Sequence, residues 1–98
     1  MSPSDTATTT VRCDGDLDIV TSEDVKRQLA ALVETGSGTV ALDLRDVGFV
    51  DSSGLGALVA VHHYAEAKGS HLVVRSVPTH VRDLFTITRL DNLLTVVE

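Results

Sequence analysis

Residues 49–56 read Phe49-Val50-Asp51-Ser52-Ser53-Gly54-Leu55-Gly56. An apolar pair runs into an acid, two hydroxyls and two closely spaced glycines. Asp and Ser cap helix N-termini because their side-chain oxygens accept the first unpaired backbone N–H groups. Glycines let a helix lie close against a sheet. The stretch therefore predicts a loop that turns into a helix, capped by Asp51 or by one of the serines. A hydroxyl at a helix N-terminus can also carry phosphate, since free N–H groups and the helix dipole stabilise the added anion. Gly54 and Gly56 leave the backbone open to the approach of another protein.

Working outward, Leu55, Leu58, Val59 and His62 continue at helical spacing, and Gly69 stops the helix near Lys68. Before the stretch, Thr39 to Leu44 alternates as a strand, with Val40, Leu42 and Leu44 on one face and Ala41 and Asp43 on the other. Thr8 to Cys13 is a β-branched strand, interrupted by Asp14-Gly15-Asp16. Leu17 to Val20 extends it past a bulge or begins the next loop. Thr21-Ser22-Glu23-Asp24 starts a helix, with a hydroxyl cap and acids at the positive end of the dipole. Val25, Leu29, Leu32 and Val33 carry that helix to about Thr35, where Gly36-Ser37-Gly38 ends it. His71 to Ser76 holds a third strand. Pro78 and Thr79, the latter as cap, begin a third helix with stripe Val81, Leu84, Phe85 and Thr88. Leu94 to Val97 is a last strand.

Strands alternating with helices imply parallel strands joined by crossovers. Each loop from a strand into the next helix then emerges at the strands' carboxyl edge. Asp14–Asp24, Asp46–Ser53 and Arg75–His80 are expected to meet there.

The 98 residues allow one domain, 8–98, after a disordered terminus over 1–7. Fourteen acids against eight Lys and Arg give a net charge of −6, the wrong sign for a surface that displaces phosphate counterions, so direct nucleic-acid binding is not expected. Only Phe49, Tyr64 and Phe85 are aromatic, which implies an aliphatic core and no base-stacking platform. Cys13 is the single cysteine, so an internal disulfide is ruled out and a reducing cytoplasm fits. No apolar run is long enough to span a membrane.

Other motifs fail on chemistry. Asp14, Asp16 and Asp18 begin like a calcium loop, but Ile19 stands where Gly is needed and Val25 where Glu is needed. His62 and His63 are adjacent and diverge on a helix, and His71 and His80 lack companions, so no metal or cofactor is expected. Gly54-Leu55-Gly56 lacks the third glycine of a dinucleotide fingerprint, since position 59 is Val. Neither Ser52 nor Ser53 sits in Gly-x-Ser-x-Gly, so a hydrolase is a poor reading.

Two segments carry a resemblance: Asp51-Ser52-Ser53-Gly54-Leu55-Gly56 after Phe49, and Gly15-Asp16-Leu17-Asp18 before Thr21. With the alternating pattern, the chain resembles the STAS domain of bacterial anti-sigma factor antagonists from about Val11 to Val97. The resemblance implies an α/β fold: a single mixed, mostly parallel sheet of four to five strands packed with three to four helices. It implies a binding protein rather than an enzyme. The unphosphorylated form would capture an anti-sigma factor, a serine kinase with bound nucleotide, and free the sigma factor. Phosphorylation of the serine after the motif's aspartate, Ser52, would switch it off, and a PP2C-type phosphatase would restore it. Asp18 and Asp51 match acidic positions beside the phosphorylated residue, and Ser53 matches the neighbouring hydroxyl, expected as the helix cap. Asp16, Asp18, Thr21, Asp51, Ser53, Gly54, Leu55 and Gly56 are the expected partner-binding residues.

The family's opening hairpin has only about ten residues before Val11 in which to form. Its closing helix would fall beyond Glu98. Exposed edges at both ends favour partner contact or a weak homodimer. The alternative reading keeps the fold without the switch, as an unphosphorylated subunit of a transporter or signalling assembly.

Overall fold

The computed structural model describes residues 8–35 and 38–97. The elements follow as β1 Thr8–Arg12, α1 Ser22–Glu34, β2 Thr39–Asp43, α2 Ser52–Ala67, β3 His71–Arg75, α3 Thr79–Ile87 and β4 Thr95–Val97. A short 3-10 turn, Leu90–Asn92, precedes β4. The strands lie in the order β1-β2-β3-β4, and each neighbouring pair is parallel. Among the described residues the sheet is wholly parallel, not mixed: β1, β2 and β3 are each followed by a helix that returns the chain to the same end. An opening hairpin strand and the expected disorder over 1–7 lie outside the described residues.

Strand parity decides what is buried. Val11, Leu42, Val74 and Val96 form one row across the sheet and face the core. Arg12, Asp43, Arg75 and Val97 form the next row, on the opposite face. Leu29 and Val33 of α1, Leu58 and Val61 of α2, and Val81 and Phe85 of α3 join the core. Phe85 is its only phenyl ring among the described residues, so packing rests on aliphatic side chains, as the composition implied.

Three details of the helices differ from expectation. The buried face of α2 is Gly54, Ala57, Leu58, Val61 and Ala65, which shares only Leu58 with the expected stripe of Leu55, Leu58, Val59 and His62. Small residues line the true face, and apolar residues occur nearly all round, so periodicity alone misplaces it. Thr79 does not cap α3; Pro78 occupies the cap position and its carbonyl accepts from Val81 and Arg82. Thr21 occupies the cap position of α1 without a side-chain cap bond, because its hydroxyl is used elsewhere.

The end of α2 follows its sequence closely. Gly69 adopts φ +77°, its N–H donates to Glu66, and Ser70 N–H donates to Ala65. This paired closure needs a left-handed residue, and glycine adopts that conformation without penalty.

Candidate functional site

The carboxyl edge of the sheet gathers the three strand-to-helix loops. Cys13 N–H donates to Asp43 O at 3.0 Å, and Leu44 N–H donates to Arg75 O at 3.0 Å. The first two loops also touch directly. Leu17 and Val50 form an isolated parallel bridge, in which Leu17 N–H donates to Phe49 O at 2.9 Å and Asp51 N–H to Leu17 O at 3.2 Å.

Asp51 holds this junction. One carboxylate oxygen accepts Gly54 N–H at 3.0 Å and so caps α2. The other accepts Ile19 N–H at 3.2 Å from the first loop. Asp51, not Ser53, is therefore the cap. An aspartate one position before the helix reaches the third helical amide, whereas Ser53 is already helical. Ser52 is the first helical residue and is exposed. Its hydroxyl makes no hydrogen bond among the described residues. Ser53 is half-buried and lines a cleft of about 250 Å³ between α1 and α2 with Ile19, Glu23, Lys26 and Gly56.

The first loop is fixed by its own polar groups. Asp18 Oδ1 accepts the N–H of Val20 at 2.9 Å and of Thr21 at 3.1 Å. The Thr21 hydroxyl donates to Asp16 O at 2.7 Å and accepts Asp18 N–H at 3.0 Å. These bonds occupy the hydroxyl that was expected to cap α1. The Asp16 side chain is exposed, close to Gly48. Asp16, Asp18, Thr21, Asp51 and Ser52 thus share one edge, held by these hydrogen bonds and by the buried Leu17 between the loops.

The two glycines divide. Gly54 is buried, and a Cβ built on it would collide with the Leu17 carbonyl oxygen and lie 2.9 Å from Leu17 Cγ. It serves helix–loop packing and is not open to a partner. A Cβ on Gly56 would meet nothing within 4 Å, so only this glycine presents open backbone. Leu55 is partly buried against the core.

Three residues at this edge were missed: Ile19 is 72% exposed, Val20 81% and Phe49 53%. They make up three of the five large apolar side chains exposed among the described residues. Their signal was present, since Ile19-Val20 and Phe49 flank the two quoted motifs, but an apolar residue in a short run reads equally well as core.

Cys13 sits at the end of β1, 4% exposed, with its thiol against the Gly15 carbonyl at 3.5 Å. Burial raises its pKa above the ordinary 9.0, and Asp14 and then Asp16 add to the shift. The described residues contain no group of His, Cys, Asp and Glu side chains arranged to hold a metal ion. None of the described helices is long and apolar enough to cross a membrane.

With this geometry in view, comparison with known proteins is specific. The family described as "Mlab, STAS domain" matches residues 2–96. The chain belongs to the STAS family. An anti-sigma-B factor antagonist of Staphylococcus epidermidis is 30% identical over 88 residues, covering 90% of this chain and 82% of that protein. The STAS fold is also shared with a putative anti-sigma factor antagonist of Thermotoga maritima, at TM-score 0.86 and 20% identity over 94% of this chain and 80% of that one. The Bacillus cell fate determinant SpoIIAA, solved in its phosphorylated form, aligns at TM-score 0.70 and 20% identity over 94% of this chain and 84% of that one.

Proposed function

We propose that this chain is an anti-sigma factor antagonist that binds its partner through the carboxyl edge around Ser52. One observation carries the reading: an exposed, unbonded Ser52 hydroxyl at the first position of α2, set by the Asp51 bridge between two loops. The unphosphorylated form captures an anti-sigma factor, a serine kinase with bound nucleotide, and the sigma factor is released in the cytoplasm. Transfer of phosphate to Ser52 ends the capture, and a PP2C-type phosphatase reverses it. Any effect on transcription is indirect, since the net charge of −6 disfavours nucleic acid.

The chemistry of the switch is local. Phosphate adds about −1.5 to −2 charges at neutral pH. It lands beside Asp51 and close to Asp16 and Asp18. The helix N-terminus tolerates the anion, so the fold need not change. The partner, shaped to a neutral hydroxyl and to the exposed Ile19, Val20 and Phe49, meets a bulky dianion instead. Asp16, Asp18, Thr21, Asp51 and Ser53 shape the polar part of the surface. Gly56 admits close approach, while Gly54 and Leu55 support it from beneath.

The test is calorimetric titration of the cognate anti-sigma kinase, loaded with magnesium nucleotide, against two variants. Ser52→Asp is expected to bind at least about tenfold more weakly than Ser52→Ala. Equal affinities would remove the electrostatic basis of the switch.

A further inference from the structure

The carboxyl edge carries a second charged group, on the sheet face opposite the core. Arg12, Asp43 and Arg75 lie side by side in strand register. Asp43 is 5% exposed. Its Oδ1 accepts Arg45 N–H at 2.9 Å, and its Oδ2 faces Arg45 Nε at 3.4 Å and Arg12 Nε at 3.9 Å. Arg12 also reaches Asp46 at 3.8 Å. Arg75 is half-buried and makes no ion pair among the described residues. Three guanidinium groups thus stand against two carboxylates, a local positive excess in a chain of net charge −6. The buried carboxylate orients two of the guanidinium groups and leaves outward N–H donors available.

The other half of the same edge is negative. Asp14, Asp16 and Asp24 line one groove of about 460 Å³. Asp24 is paired with Arg27 at 3.0 Å, so Asp14 and Asp16 carry the net negative charge, and Arg12 lines the groove too, where the two halves join. Asp18 and Asp51 continue the acidic side. A surface positive on one half and negative on the other is self-complementary under a two-fold axis, because each half meets its opposite on the partner.

We propose that this edge pairs two copies of the chain, with the arginine row of one protomer on the acidic loop of its partner and the reverse. The pairing covers Ser52 and competes with the partner kinase; this consequence rests on the function proposed above. The net charge opposes association, and exposed ion pairs add orientation more than affinity. Burial of Ile19 and Val20 supplies the apolar part. The dimer is therefore weak and concentration-dependent.

Sedimentation velocity on the purified chain, taken up to about 1 mM, tests the pairing. A monomer–dimer equilibrium is expected. Asp14→Arg and Arg45→Glu should each weaken it at least about tenfold. A mixture of the two variants should recover it, since the mixed dimer holds one native and one reversed pair. If Arg45→Glu fails to fold beside Asp43, Asp14→Arg on its exposed loop still decides the matter. A monomer at every concentration, or a dimer as strong in Asp14→Arg as in the unmodified chain, overturns the proposal. Phosphorylation of Ser52 in a chain that stays monomeric would sink the dimer and leave the function standing. A dimer without Ser52 phosphorylation would do the reverse.

Discussion

Asp51 accepts the backbone N–H of Ile19, 32 residues earlier, at 3.2 Å, while its second oxygen accepts Gly54 N–H at 3.0 Å. One carboxylate therefore sets both the start of α2 and the distance between the two loops that frame Ser52. Asp51→Ala removes both bonds. It should cost about 1 kcal/mol in urea unfolding, the usual loss of a cap. It should also slow phosphorylation of Ser52 by more than that small loss of stability explains. Unchanged kinetics with reduced stability would confine Asp51 to capping.

The two glycines of the motif should separate under the same substitution. Gly54→Ala drives a methyl into Leu17 and should destabilise by about 1–3 kcal/mol. Gly56→Ala meets open space inside a helix and should stabilise by about 0.5–1 kcal/mol. If Gly56 is where the partner approaches, the stabilised variant will bind more weakly. Thermal melts and kinase titrations on both variants check the pair.

Phe49, Ile19 and Val20 contribute little to the fold while exposed, so Phe49→Ala and Ile19→Ser should unfold within about 0.5 kcal/mol of the parent. Each should nonetheless lower affinity for the partner by about tenfold, the loss expected when a contact residue is truncated. Affinities equal to the parent would move the docking surface away from this edge.

Cys13 gives a pH test. Its pKa is raised in the folded state by burial first and then by Asp14 and Asp16, so folding favours the protonated thiol. Above the ordinary pKa of 9.0 the unfolded chain binds fewer protons than the folded one, and stability falls with rising pH. This contribution is complete below pH 9 and is lost as pH climbs toward the folded pKa. Cys13→Ala should flatten that decline. At neutral pH the thiol should react with iodoacetamide far more slowly than free cysteine, as a mass-spectrometric time course would show.

Much of the architecture was legible because β-branched runs and helical stripes alternate with glycine-marked stops. Val40, Leu42 and Leu44 betrayed β2, and Gly69 marked the end of α2 where the structure places it. The face of α2 was not legible, since Gly54, Ala57 and Ala65 pack by being small rather than by being strongly apolar. The stretch from Asp51 to Gly56 was read as a helix start, which the structure shows, yet the cap was assigned to the wrong member. Sequence cannot tell which of three capping residues reaches the amide. The exposed Ile19, Val20 and Phe49 escaped for a related reason: whether an apolar residue faces water depends on the Leu17–Val50 bridge, a contact between distant segments.

The most direct measurement is phosphosite mapping by mass spectrometry after incubation with the cognate kinase, ATP and magnesium. The predicted result is a single phosphate on Ser52, lost in Ser52→Ala and retained in Ser53→Ala. Undiminished label in Ser52→Ala, carried by Ser53 or a threonine, would contradict the assignment of the switch.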